Sequence, residues 1–242
     1  MTAIPASGNP AGRFGVLIPV YNHAGAVVSV IERVLALGFP VWAVDDGSTD
    51  GTAAALAGLG GVTVLRHECN RGKGAAILTG FSAMAGEVAW AITLDADGQH
   101  DPVDVPTMIR AIPEGVRPIV IGRREGMTGA DVPWTSRFGR GFSNFWVRLA
   151  GGPVLSDTQS GMRIYPLPEA ANLEVRARRF QFEVEVLVRA RWAGIPVLET
   201  PVSVSYTPGM KRVSHFRPFV DFCRNSVTFT RLIFQRIVRM RG

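Results

Sequence analysis

The chain has 242 residues, 47% apolar and 19% charged, with 27 glycines and 16 prolines scattered rather than clustered. That pattern excludes collagen-like, low-complexity and disordered classes, and the length suits one sizeable core with a small appendage. The formal charge of +6 gathers from Arg176 onward and asks for an anionic partner; nucleic acid, an acidic membrane surface and phosphorylated small molecules all fit.

Two cysteines, Cys69 and Cys223, lie far apart and outside any metal-type spacing. Neither a disulfide framework nor a zinc site is expected, and a reducing cytoplasm is the default setting. The opening MTAIPASGNPAGR (1–13) lacks a basic start followed by an apolar run and reads as a flexible lead-in. No stretch reaches the ~18–20 apolar residues of a bilayer span, so neither secretion by that route nor a membrane crossing is expected.

In chain order, FGVLIPV (14–20) is an apolar strand, followed by helical spacing of Val27, Val30, Ile31, Val34 and Leu35. The alternation repeats: VWAV (41–44), a helix near 50–58, VTVL (62–65), a helix over about 73–85, VAWAITL (88–94), a helix near 102–112, and PIVIG (118–122). Strands apolar on both faces and separated by helices predict a largely parallel sheet covered on each side. Ligands of such sheets sit beyond the carboxyl ends of the strands, where PVYN, DDGSTD, RHECNRGKG, LDADGQH and GRRE all fall. Further on, 136–152 and 179–194 read as helices, and IPVLETPVSVSY (195–206) as two short strands broken at Pro201.

Three strand-end segments carry chemistry. In VDDGSTDGT, Ser48, Thr49 and Asp50 suit turn and cap roles. Asp46 can accept a hydrogen bond from the ring N–H of a uracil or guanine. In CNRGKGAAI, Arg71 and Lys73 stand at a helix start that favours anions, either a diphosphate or simply solvent; the spacing is not that of a Walker loop. LDADGQHDP is the strongest signal. Asp95 and Asp97 repel unless a cation neutralises them. With Gln99 they form an oxygen donor set suited to Mg²⁺ or Mn²⁺, an ion that would bridge the two phosphates of a nucleotide-sugar. Asp101, before Pro102, is explained as a helix cap.

PVYN, VDDGSTDGT, NRGKGAA, LDADGQHDP and SDTQSGMRIYP, in that order, resemble family 2 glycosyltransferases of the GT-A fold, most closely the dolichol-phosphate (polyprenyl-phosphate) hexosyltransferase branch, over roughly residues 14–206. The resemblance implies an α/β three-layer sandwich with a mostly parallel sheet. It also implies inverting transfer of a hexose from a UDP- or GDP-sugar to a lipid phosphate at the cytoplasmic membrane face. On this resemblance Pro19, Tyr21, Asn22, Asp46, Gly72, Lys73, Asp95 and Ala96 line the nucleotide-sugar pocket, while Asp95, Asp97 and Gln99 hold the metal. Asp157 and Gln159 lie near the sugar or acceptor. Asp157 serves either as general base toward a hydroxyl acceptor or as a positioning group, because a lipid phosphate is already anionic and needs no base.

Arg123 and Arg137 are the expected acceptor-phosphate contacts, suited to bidentate hydrogen bonding. Of Glu183 and Glu185, two apart and so on different helix faces, Glu185 aligns with the family's glutamate. Two departures stand out. His23 replaces a family carboxylate after YN, and YTPGMKRVSHFRP (206–218) replaces the family's R-x-x-G-x-S-K segment, leaving Lys211, Arg212 and Ser214 as candidate phosphate contacts.

Residues 207–242 are read as an acceptor loop followed by an amphipathic basic helix from Pro218. Asp221, Arg224, Thr228, Arg231, Gln235 and Arg239 share one face, opposite Phe219, Phe222, Cys223, Phe229, Ile233, Ile237 and Met240. The helix can dock on an anionic membrane surface or pack on the protein's own core or a dimer mate; oligomeric state stays open. The alternatives are transfer to a hydroxyl of a lipid, aryl or saccharide acceptor and, remotely, nucleotidyl transfer, which normally shows a glycine-rich basic loop where this chain has PVYNHAGAV. Nucleic-acid binding is not expected, since the arginines form no aromatic-interleaved motif.

Overall fold

The computed structural model describes residues 13–125, 134–204 and 218–239. Seven strands form one sheet: β1 (Phe14–Val20), β2 (Val41–Asp45), β3 (Val62–Arg66), β4 (Trp90–Thr93), β5 (Ile119–Arg124), β6 (Arg163–Pro166) and β7 (Val197–Val202), in the order β3-β2-β1-β4-β6-β5-β7. All neighbours are parallel except β6, which runs antiparallel to both β4 and β5. The helices are α1 (Val27–Ala36), α2 (Thr52–Ala57), α3 (Lys73–Met84), α4 (Val105–Arg110), α5 (Trp134–Leu149), α6 (Phe182–Trp192) and α7 (Pro218–Arg239), with a 3₁₀ turn at Pro102–Asp104.

The apolar runs explain the layers. β1 is buried along its whole length, and each sheet face has its own core. Val27, Ile31 and Val34 of α1 with Val105 and Met108 of α4 cover one face. Ile77 and Phe81 of α3 with Phe182, Val186 and Leu187 of α6 cover the other. Glycine makes the second layer close: a Cβ at Gly80 would overlap the Leu17 side chain, so α3 approaches β1 as only a hydrogen side chain permits. A third, smaller core joins α5, α6 and α7 through Val147, Ala150, Val184, Val188, Phe229 and Leu232.

Three features differ from the sequence reading. SGMRIYP supplies the reversed strand β6, which short length and motif character hid. Pro201 does not break the last strand: β7 runs through it, pairing Arg123 with Pro201 on the outermost position of the sheet, where a missing N–H costs no ladder bond. The sides of α7 are not those expected. Asp221 and Thr228 turn inward with Phe229 and Leu232, while Phe222 and Ile237 are exposed. Ion pairing of inward polar groups overrides the amphipathic assignment. The first twelve residues and the segment carrying Lys211, Arg212 and Ser214 lie outside the described residues.

Candidate active site

The carboxyl ends of β1, β2 and β4 meet the loops before α3 and β6 at one edge of the sheet. The first layer of this edge is a set of loops tied to one another. Asn22, at φ 53, adopts the left-handed backbone that Asn tolerates. Its Oδ1 accepts from the Thr49 N–H at 2.8 Å while its own N–H donates to Ser48 Oγ at 2.9 Å. Asp45 accepts from the Ser48 N–H at 2.8 Å, and Asp50 accepts from Thr52 N–H at 2.9 Å, so the DDGSTD acids build their own turn.

Asp46 is 2% exposed and already engaged. Its carboxylate accepts from the N–H groups of Arg71 (2.9 Å) and Gly72 (2.7 Å) and pairs with His67 Nδ1 at 2.7 Å. Asp46 therefore anchors the NRGKG loop, with lone-pair capacity for at most one further donor. Gly72 needs to be glycine there: φ is 101°, and a Cβ would lie 2.5 Å from the Arg178 carbonyl oxygen. Pro19 and Ala96 are buried beneath these loops, and Tyr21 is half-buried beside them.

The acid pair forms the second layer. Lys73, first residue of α3, places Nζ 2.6 Å from Asp95 Oδ1 and 2.5 Å from Glu183 Oε1. Burial alone would lower the ammonium's pKa, but the two carboxylates outweigh it and raise it. Burial likewise pushes Asp95 up, and Lys73, aided by His100 and Arg124, more than reverses that. Asp97 gets less help: burial and then the charge of Asp95 raise its carboxyl above the usual range, outweighing a hydrogen bond from the Gln99 N–H at 3.0 Å and the weaker pull of Lys73 and His100. The repulsion inferred from LDAD is thus met at Asp95 by Lys73 and left standing at Asp97.

His100 adds a group the sequence reading passed over. It is 5% exposed, its Nδ1 has no hydrogen-bond partner among the described residues, and burial lowers its pKa, so a neutral imidazole with a free nitrogen sits among the acids. Two carboxylates, one of them short of positive charge, supply the oxygen donors that a hard divalent cation takes, and the orphaned imidazole nitrogen lies beside them. Among the described residues no three His, Cys, Asp or Glu side chains converge as a metal-holding group. Gly161 seals the other side: a Cβ there would fall inside the Asp95 carboxylate.

The third layer is a clamp. Asp157 is fully buried and receives two hydrogen bonds from the Arg124 guanidinium, Nε to Oδ2 at 2.7 Å and Nη2 to Oδ1 at 2.9 Å. Burial pushes this carboxyl up, but Arg124 outweighs it and holds it below the usual carboxylate range. The surrounding SDTQSG loop is fixed from four elements. Glu199 of β7 accepts from the Ser156 and Asp157 N–H groups at 2.9 Å, and Asn144 of α5 donates to the Ser156 carbonyl at 2.8 Å. Ser143 meets the Thr158 hydroxyl at 2.8 Å, and Arg163 of β6, fully buried, donates to the carbonyls of Ser160 (2.7 Å) and Thr158 (3.0 Å). Gln159 is half-buried at the tip.

Two pairs of neighbouring residues are divided between different surroundings. Arg124, not Arg123, enters the site; Arg123 is largely exposed, 3.7 Å from Glu125. Successive strand residues face opposite sides, so GRRE leaves the choice to sheet register. Glu183 faces Lys73, whereas Glu185, the glutamate aligned with the family's, is bonded to Arg189, Arg231 of α7 and the Ala177 N–H. Arg137 belongs to α5, with its side chain outside the described residues. His23, in place of the family carboxylate, turns Nδ1 to the Tyr21 carbonyl at 2.7 Å.

An acid pair and a clamped guanidinium stand together at the carboxyl edge of the sheet, and comparison with known proteins gives the class of the chain. The Glycosyl transferase family 2 profile matches residues 15–167, and the chain belongs to that family; it is a glycosyltransferase. It is 28% identical over 215 residues to the UDP-N-acetylglucosamine–dolichyl-phosphate N-acetylglucosaminyltransferase of Methanococcus voltae, covering 79% of this chain and 85% of that one. To the polyprenol monophosphomannose synthase of Mycolicibacterium smegmatis it is 29% identical over 212 residues, 82% and 80% of the two chains. Among solved structures it resembles glucosyl-3-phosphoglycerate synthase from Mycobacterium tuberculosis, crystallised with Mn²⁺, UDP and phosphoglyceric acid, at TM-score 0.65 and 19% identity over 93% of this chain and 78% of that one. That likeness establishes the GT-A fold.

Proposed function

We propose that the chain transfers a hexose, with inversion, from a UDP- or GDP-sugar to a polyprenyl-phosphate-type acceptor at the cytoplasmic membrane face. Asp95 and Asp97, with Gln99, would hold Mg²⁺ or Mn²⁺. When bound, the ion supplies Lewis-acid stabilisation of the departing diphosphate. Tyr21, Asn22 and the loop anchored by Asp46 and Gly72 form the nucleotide side of the pocket. Arg124 holds the acceptor phosphate, with Arg137, Lys211, Arg212 and Ser214 proposed to add contacts, Gln159 to meet the sugar, and Arg123 to serve as a peripheral charge.

The observation that carries this reading is the state of Asp157. A carboxylate bonded twice to Arg124 and held below the usual range is a poor proton acceptor, so a hydroxyl acceptor would lack its base. A phosphate monoester requires none: its oxygen attacks the anomeric carbon, the bond from that carbon to the diphosphate oxygen breaks, and the electron pair leaves on the diphosphate. Asp157 then positions Arg124 instead of taking a proton. The names of the relatives, which specify dolichyl phosphate and polyprenol acceptors, support the same class.

The test pairs binding with turnover. Thermal unfolding with UDP- and GDP-sugars, with and without Mn²⁺, is expected to show stabilisation by one nucleotide family only with metal, about 2.7 kcal/mol at a hundredfold excess over Kd. Asp97→Ala is expected to abolish that gain. Radiolabelled transfer to a short-chain polyprenyl phosphate, but not to the matching polyprenol, is the expected product result. Transfer to the alcohol alone would overturn the acceptor assignment.

A further inference from the structure

Asp46 does more than anchor its loop, because the way its oxygens are occupied limits what else they can accept. Among the described residues Oδ1 takes two donors, His67 Nδ1 at 2.7 Å and the Arg71 N–H at 2.9 Å, and Oδ2 takes one, the Gly72 N–H at 2.7 Å. A carboxylate offers about two acceptor positions on each oxygen. Oδ1 is therefore filled, and a single position remains, on Oδ2.

The filling of Oδ1 is fixed from behind. A carboxylate only accepts, so His67 Nδ1 carries the hydrogen of that bond. The other ring nitrogen, Nε2, meets the Thr79 hydroxyl of α3 at 2.9 Å, and the His67 and Asp46 side chains are 5% and 3% exposed. Main-chain bonds hold both residues as well: the Asp46 N–H donates to the Val20 carbonyl and the His67 N–H to the Asp45 carbonyl, each at 2.8 Å. Neither the ring nor the carboxylate can turn without leaving a buried polar group unmatched, which is costly. Of the three donors to Asp46 only His67 is a side chain, so it is the one that substitution can remove.

We infer that Asp46, saturated at Oδ1 with the help of His67, makes the site accept uracil and reject guanine, so that the sugar donor is a UDP-sugar. The edge of uracil offers one ring N–H, at N3, between two carbonyls. Guanine offers two adjacent hydrogen-bond donors, N1–H and the N2 amine, which a carboxylate grips with both oxygens. Here the one position on Oδ2 satisfies the uracil N3–H, whereas guanine brings its second donor against an oxygen with no free lone pair. A donor left unpaired on burial loses about 5- to 150-fold in affinity. His67 is a positioning residue, acting on the base through Asp46. The inference deepens the reading above and rests on it for the placement of the base at Asp46.

The test is calorimetric titration of the full chain, in the presence of Mn²⁺, with UDP, GDP and two analogues. 3-Methyl-UDP lacks the ring N–H, and inosine diphosphate keeps the purine size and N1–H of GDP but lacks its amine. UDP is expected to bind about 5- to 150-fold tighter than GDP or 3-methyl-UDP, and inosine diphosphate at least about fivefold tighter than GDP. His67→Leu opens a position on Oδ1 and is expected to lower the preference for UDP over GDP about tenfold. His67→Asn keeps an N–H at the Nδ1 position and is expected to retain that preference; melting curves verify that each variant folds, and the four nucleotides decide the matter on the wild-type chain even where a variant does not. GDP as tight as UDP, inosine diphosphate no tighter than GDP, 3-methyl-UDP equal to UDP, or an unchanged preference in folded His67→Leu would overturn the inference and leave the glycosyl transfer proposed above intact. Binding of none of the four, with or without Mn²⁺, would instead bring down the proposed function.

Discussion

Asp157→Asn separates a positioning role from general-base catalysis. Asn keeps the shape but removes the charge and turns an amide N–H₂ toward a guanidinium that now donates to one oxygen instead of two. Breaking a buried ion pair costs about 3–5 kcal/mol, and here little relief comes from water, since Asp157 is fully buried and the Arg124 side chain is 15% exposed. Against a typical total of about 5–15 kcal/mol the variant should fold with a lowered melting temperature. A loosened Arg124 loses a charge-assisted contact to the acceptor, about 1.5–3 kcal/mol, which is roughly a 10- to 150-fold rise in acceptor KM. Near-normal kcat should return at saturating acceptor. Initial rates over acceptor concentration and pH decide it. A kcat loss in the range of about 10²–10⁴ with unchanged KM, and loss of the acidic limb of the rate profile, would mean that Asp157 is the base after all.

The same carboxyl sets an acid dependence. Its folded pKa lies below the unfolded value, so its stabilisation is complete above the unfolded pKa of about 4 and is lost as pH falls through the folded one. The stability gap between wild type and Asp157→Asn should therefore close in acid, and a gap that widens would refute the pairing. Gly161→Ala inserts a Cβ into the space of the Asp95 carboxylate and should cost about 1–3 kcal/mol of stability while weakening Mn²⁺ binding, read by the paramagnetic resonance of free Mn²⁺; unchanged affinity would contradict the placement of Asp95. Lys73→Met should tighten Mn²⁺ in the same assay, because the ammonium 2.6 Å from Asp95 no longer competes for that carboxylate; weaker binding would show that Lys73 supports the metal. Glu185→Gln leaves Arg189 and Arg231 without their shared acid and should cost about 3–5 kcal/mol, near 6–20 °C in melting temperature at this chain length. A shift below about 2 °C would mean that the α6–α7 junction is held by apolar packing alone.

Much of the architecture was written locally. The apolar runs of β1, β2 and β4 and the helical spacing of α1 need only adjacent residues to be read, because strand and helix periods are properties of a short segment. The strand-end position of Asp46, Asp95 and Asp97 followed from the same alternation, through the rule that parallel sheets gather ligands at their carboxyl edge. What could not be read is how groups distant in the chain divide among partners. Lys73 and Glu183 are 110 positions apart, and nothing near either one tells that Asp95 shares the ammonium. The base-facing role read for Asp46 drew only on its strand-end position; that three donors from residues 67–72 also engage it was not legible there.

The sequence by itself determined which residue types stand at strand ends and helix starts, and hence the fold class and the presence of an acid-rich edge. Tertiary structure decided which partner each neighbour meets: Asp157 for Arg124 and Glu125 for Arg123, Lys73 for Glu183 and Arg189 with Arg231 for Glu185, and which side of α7 turns outward. The reason is geometric. A one-residue step along a strand reverses the face a side chain presents, and on a helix the buried side is set by whichever ion pairs and cavities the packed neighbours offer. Those neighbours, Asp157 for Arg124, Lys73 for Glu183 and Glu185 for Arg231, are brought together only when the sheet is assembled in its final order.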